Sequence, residues 1–142
     1  MMNEDRLQCL VKDHEFKSPA ARAFLQSKGY CIYCDTDCFE TRQSYWSSTI
    51  DHLLPKSKYA FLAKDENNYV VTCSSCNNMK SDLDILEHDE KLKSQIEKKG
   101  HKEALADKKL RKAIIKAIRN HLYENIQQRN RDYLDIRKIV QG

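Results

Sequence analysis

Two Cys-x-x-Cys pairs, Cys31/Cys34 and Cys73/Cys76, constrain this chain of 142 residues more than any other feature of its sequence. Each pair makes a tight knuckle that offers two thiolates from one side. Two such knuckles supply the four sulfurs of one tetrahedral Zn²⁺. The competing reading is a redox Cys-x-x-Cys, which usually sits in a βαβ setting and for which two paired motifs are an odd coincidence. A structural zinc held by Cys31, Cys34, Cys73 and Cys76 is therefore expected. The 38 residues between Cys34 and Cys73 exceed a simple zinc ribbon, so something is inserted between the knuckles. Cys38 follows Cys34 closely enough to compete as a ligand and is read as a spare thiol near the site. Cys9 sits among Leu7, Leu10 and Val11 and reads as a small buried hydrophobe.

Composition narrows the setting. The polar start, Met1-Met2-Asn3-Glu4-Asp5-Arg6, lacks a signal-peptide core, so a cytoplasmic protein is expected and the cysteines point to metal chemistry rather than disulfides. No apolar run reaches the roughly 18 residues of a membrane span. Only three glycines and two prolines are present, too few for a turn-rich β-barrel or sandwich, so helix should dominate. The expected fold class is α+β and helix-rich, in one unit with three stretches: a helical lead over 1–30, a cysteine-bearing finger over 31–88 and a basic helical extension over 89–142.

In the lead, Ser18 reads as an N-cap before Pro19, and Gly29 as a stop. The finger holds two strand-like runs, Tyr45-Trp46-Ser47-Ser48-Thr49-Ile50 and Tyr69-Val70-Val71-Thr72, both rich in aromatic or β-branched residues. In the extension Leu110, Ile114, Ile118, Leu122 and Ile126 recur every four residues as one apolar stripe, and Gly100 divides the region into at least two helices.

Between and across the knuckles the chain reads Asp51-His52-Leu53-Leu54-Pro55-Lys56-Ser57, then Asn68 five residues before Cys73, then Cys76-Asn77-Asn78-Met79-Lys80. This resembles the HNH endonuclease family over roughly residues 30–82. The resemblance implies a ββα-metal finger, a β-hairpin and a following helix gripping one divalent cation, here stapled by the four-cysteine zinc site and flanked by N- and C-terminal helices. Its signature positions fall on His52, Asn68 and Asn77. Many members carry Gly-Gly after the Pro-x-Ser run, whereas this chain reads Lys58-Tyr59-Ala60-Phe61-Leu62.

The resemblance implies hydrolysis of DNA phosphodiesters to a 5′-phosphate and a 3′-hydroxyl. An imidazole titrating near 6.5 is largely neutral at pH 7, which suits His52 as general base. In the family a loop carbonyl orients that ring, and the Asn at this position, here Asn68, ties the loop together and so positions the base. Asp51 and Asn77 are implied as ligands of the catalytic cation; hard oxygen donors favour Mg²⁺ or Mn²⁺. For Asn77 a helix-capping role is the plainer alternative. Lys80 either touches a phosphate or packs beside the knuckle.

Charge is uneven. Residues 1–88 carry 10 Lys+Arg against 13 Asp+Glu (−3), and residues 89–142 carry 15 against 8 (+7). Lys108, Lys109, Arg111, Lys112, Lys116 and Arg119 come without an intervening acid and are expected to spread over the helix face opposite the apolar stripe. Such a face suits duplex DNA phosphates without sequence preference, or is simply solvated. The stripe itself packs on the finger, on a second copy, or on a partner protein. Expected overall is a metal-dependent HNH endonuclease in restriction or anti-phage defence. The alternatives are a non-catalytic zinc-finger nucleic-acid-binding module and a nuclease subunit activated by a partner.

Overall fold

A computed structural model describes residues 18–142. Cys9 and the first part of the helical lead lie outside them. The first helix, α1 (Ser18–Ser27), ends where expected. Lys28 and Gly29 both turn to positive φ (56° and 84°) and the Gly29 amide bonds back to the Phe24 carbonyl. A side chain at Gly29 would place its Cβ 2.3 Å from the Phe39 ring, so this stop is enforced twice, by backbone and by packing.

The expected first strand is shorter than its composition suggests. Arg42–Ser47 is a helix, α2, capped by Thr41, whose hydroxyl accepts from the Ser44 amide at 3.0 Å. Tyr45 stacks on Phe39 at 5.2 Å instead of pointing into a sheet. The reason is partner length: β1 (Thr49–His52) pairs antiparallel with β2 (Tyr69–Thr72), which has four residues to offer. The register runs from Thr49 opposite Thr72 to His52 opposite Tyr69. Residues 45–47 have no strand to face, and the Thr41 cap makes helix the way to satisfy their amides.

Short 3-10 turns at Ala60–Leu62 and Glu66–Asn68 lie within the β1–β2 connection. After β2 come α3 (Ser74–Lys80), a 3-10 turn (Ile85–His88), α4 (Glu90–Lys99), α5 (His101–Ala106) and α6 (Lys108–Gln141). Gly100, at φ 100°, separates α4 from α5 as expected. Asp89 and Asp107 cap α4 and α6 through the amides of Leu92, Lys109 and Leu110.

The apolar stripe of α6 packs on the body of the protein. Ile114, Ile118 and Leu122 are buried with Leu53, Leu54 and Leu62 of the finger loop, Val71 of β2 and Leu86, Ile96 and Leu105 of the intervening helices in one continuous core. At about 1.5–3 kcal/mol per fully buried aliphatic side chain, these contacts make α6 part of what holds the two-stranded sheet, which could not stand alone. The second half of α6 leaves this core: every residue from Gln128 to Gly142 is exposed. Among the described residues no helix is long and apolar enough to cross a membrane.

Candidate active site

The four knuckle cysteines converge. The sulfurs of Cys31, Cys34, Cys73 and Cys76 all lie within 4.8 Å of one another, which among the described residues is the only cluster of three or more His, Cys, Asp or Glu placed to hold a metal. The chain builds each knuckle locally. In the first, Asp35 takes a left-handed φ of 65°, its amide bonds to the Cys31 carbonyl, and the Cys31 amide bonds to the Thr36 carbonyl. In the second, Cys73 caps α3 and its sulfur accepts from the Cys76 amide at 3.5 Å. Capping thus falls to Cys73, which leaves Asn77 one turn inside the helix. The thiols of Cys34 and Cys73 are drawn below the ordinary thiol range, first by hydrogen bonding with Cys31; Cys73 falls to about 7. Cys31 and Cys76 are pushed up by the same shared bonds. Four soft sulfur donors thus stand together and share hydrogen bonds, the donor set of a closed Zn²⁺ site. Cys38 is buried beside it but outside the cluster. Burial, then the charges of Cys31, Cys34 and Asp37, raise its thiol to about 11, and its Sγ turns to the Thr36 carbonyl. The spare-thiol reading fits this placement.

The first knuckle docks on the sheet: the Ile32 amide donates to the Val71 carbonyl at 2.9 Å. Adjacent strand residues then point to opposite sides, which parts Asp51 from His52. The His52 ring lies on the loop side. Its Nε2 is 2.9 Å from the Ala63 carbonyl, and its ring meets that of Tyr69, directly opposite in register, edge to face at 5.2 Å and 87°. A carbonyl oxygen only accepts, so Nε2 carries the proton and Nδ1 keeps the lone pair. Tyr69 donates its hydroxyl to the same Ala63 oxygen at 2.9 Å, so that carbonyl is held from two sides.

Asn68 is what fixes the loop that carries Ala63. It is fully buried. Its Oδ1 accepts from the Leu54 amide at 2.8 Å, and its Nδ2 donates to the carbonyls of Leu54 and Leu62 at 2.9 and 3.4 Å. The Leu53 amide adds a bond to the Asn68 carbonyl at 2.8 Å. One side chain thus cross-links Leu54 and Leu62 across the run Lys58-Tyr59-Ala60-Phe61-Leu62.

Asp51 faces α3. Its Oδ2 accepts from the Tyr33 hydroxyl at 2.8 Å and lies 3.0 Å from the Lys80 ammonium, which also donates to the His52 carbonyl at 2.7 Å. Lys80 is 2% exposed, so it is bound into the finger and does not reach a phosphate, contrary to its reading as a nucleic-acid contact. The physical cause is Asp51, which gives a buried ammonium its counter-charge. Burial and the Asp51 charge push the Tyr33 phenol well above its ordinary value, so it stays an O–H donor. Among the described residues Oδ1 of Asp51 and the side chain of Asn77 take no hydrogen bond. Asn77 lies three residues before Lys80 on α3, the spacing that puts two side chains on neighbouring turns. A carboxylate oxygen and an amide oxygen without hydrogen-bond partners, one on β1 and one on α3, are donor types that suit a hard divalent cation that keeps much of its water.

Of the six basic residues on α6, two are committed to the finger. Arg111 donates to the carbonyls of Asn67 and Tyr69 at 2.9 and 3.0 Å. Arg119 donates to the Ile32 carbonyl at 2.8 Å and grips both oxygens of Asp35 at 2.9 and 2.7 Å. That grip holds the Asp35 carboxyl below the usual range. These two guanidiniums do not join a face opposite the stripe, because loop carbonyls within reach need donors and α6 lies against them. Lys108, Lys109, Lys112 and Lys116 remain exposed.

Sequence reading missed Tyr33, and it gave the carbonyl that orients His52 as one on the loop without naming Ala63. A hydroxyl-bearing ring between two ligand cysteines was a usable signal for the first. The second is backbone and leaves no trace in residue identity.

No curated protein and no solved structure matches the chain. The stretch that carries the zinc knuckles, the hairpin, the buried Asn68 and α3, residues 31–83, matches the family model of HNH endonuclease.

Proposed function

We propose that this chain is a metal-dependent endonuclease that hydrolyses DNA phosphodiester bonds, with His52 as general base. The observation that carries the reading is the pose of His52: a ring held by Ala63 through Nε2 has its Nδ1 lone pair available to take a proton from water. Asp51 and Asn77 would hold Mg²⁺ or Mn²⁺, and that cation, when bound, supplies charge stabilisation on the phosphate and on the departing 3′ oxygen. Asn68 positions the base by fixing its loop. Cys31, Cys34, Cys73 and Cys76 hold a structural Zn²⁺ that staples a hairpin too small to build its own core. Lys108, Lys109, Lys112 and Lys116 supply phosphate contacts, while Arg111 and Arg119 act within the fold. Restriction or phage defence is the setting in which such a finger works on foreign DNA, with a second copy or a partner protein as a further participant.

Purified protein incubated with plasmid and Mg²⁺ or Mn²⁺ is expected to nick or linearise it, and His52→Ala to lower the rate by at least about 100-fold. Running modified and unmodified DNA side by side tests the defence reading. A His52→Ala protein that cuts as fast as the parent would refute the mechanism. Salt-sensitive binding without cleavage of any DNA or RNA would instead favour a zinc-finger binding module. Cleavage that appears only with a partner and still needs His52 would identify a partner-activated subunit.

A further inference from the structure

Asp51 is held from both zinc knuckles at once. Tyr33 stands between the first pair of cysteines and donates its hydroxyl to Oδ2 at 2.8 Å. Lys80 stands on the helix that the second pair begins, with its ammonium 3.0 Å from the same oxygen. Both side chains are shut off from water, each residue being 2% exposed. One donor on a carboxylate oxygen leaves the group free to turn about its Cβ–Cγ bond. Two donors from separate elements do not.

The Tyr33 hydroxyl also needs a reason to exist. A phenylalanine would fill the same volume, and a buried hydroxyl is unfavourable unless bonded. Among the described residues the hydroxyl bonds only to Asp51. With Oδ2 taken by these two donors, Oδ1 is the oxygen left to a ligand.

We infer that Tyr33 is a positioning residue for the catalytic cation: its hydroxyl, set in place by the Cys31–Cys34 knuckle, turns Asp51 so that Oδ1 meets the metal. The inference rests on the reading of Asp51 as a cation ligand. It ties the two metal sites together, because whatever orders the first knuckle also orders the carboxylate. Partners of metal ligands commonly act in this way and are worth about 10–100-fold in metal affinity.

The test uses full-length, zinc-loaded protein and Mn²⁺ as the probe, followed by electron paramagnetic resonance. Tyr33→Phe is expected to keep one zinc per chain and the melting temperature of the parent, yet to bind Mn²⁺ at least about tenfold more weakly. Its cleavage rate should be depressed at limiting Mn²⁺ and recover at saturation, a split that a merely structural role does not produce. Asp51→Asn serves as the limit of weak binding. If the parent binds Mn²⁺ and Tyr33→Phe binds it equally well, the positioning role is overturned while the nuclease reading stands. Loss of zinc in Tyr33→Phe also overturns it, since the hydroxyl then serves the fold. A parent chain that binds no Mn²⁺ beyond its zinc overturns both.

Discussion

Lys80 shows how little a residue's type says about its fate. With 1% of its side chain exposed, its charge is balanced by Asp51 and its ammonium also feeds the His52 carbonyl. Removing one partner of a buried pair leaves the other charge unpaired in a poor solvent, so Lys80→Ala should lose about 3–5 kcal/mol in urea unfolding. The double variant Lys80→Met with Asp51→Leu should recover much of that loss. A phosphate-contacting lysine would behave in the opposite way, with stability unchanged and the salt dependence of DNA binding reduced. In the sequence, Cys31, Cys34, Cys73, Cys76 and Asn68 were legible because their meaning lies in spacing along the chain. The fate of Lys80 was not, because it depends on which strand residue α3 meets, and spacing along the chain does not specify that crossing.

Among elements, the loop between β1 and β2 depends on Asp84 from beyond α3. That carboxylate is buried, caps the Ile85–His88 turn through the Leu86 amide at 3.1 Å, and accepts from Tyr59 and Lys58, both at 2.8 Å. Burial alone would raise its carboxyl; the bonds from Lys58, Tyr59 and Leu86 outweigh burial and hold it below the ordinary range. A depressed folded value means stability that is present above the unfolded value of about 3.9 and lost as pH falls through the folded one. Asp84→Asn should therefore cost about 2 kcal/mol at pH 7, with the gap to the parent narrowing as pH falls below about 3.9 when both are unfolded in urea. A gap that stays constant with pH would contradict this assignment.

Elements were only partly legible in advance. The second strand, the Gly29 stop, the Gly100 break and the α6 stripe were, since each is a local pattern. The run from Tyr45 to Ser47 was not: aromatic residues suit a strand and a helix that packs on Phe39 equally well, and what decides is the length of β2. Arg111 and Arg119 escaped for a similar reason, as a basic face and a set of carbonyl clamps look the same in one dimension.

At the scale of the whole molecule, α6 has two halves with different duties. Its first half is core. Its second half carries Tyr133, Leu134, Ile136, Ile139 and Val140, which are 59–82% exposed, out to about 20 Å beyond the last packed turns. Ending the chain after Gln127 should leave the zinc content unchanged and shift the melting temperature by no more than a few degrees, since exposed residues away from special contacts contribute within about 0.5 kcal/mol each. A loss of ten degrees or more by calorimetry would show that this half has a stabilising duty.

The two arginine clamps on α6 have a consequence for how this chain can change over time. Arg111 seizes the approach to β2 and Arg119 seizes the first zinc knuckle, from positions eight residues apart on one rod. Those anchor points stand about 12 Å apart along the axis, and each inserted or deleted residue between them would turn one guanidinium by about 100° relative to the other. Substitution in the stretch from Lys112 to Ile118 can be absorbed wherever the stripe stays apolar. A change of its length cannot, so the segment behaves as a gauge whose size, more than its spelling, is under constraint.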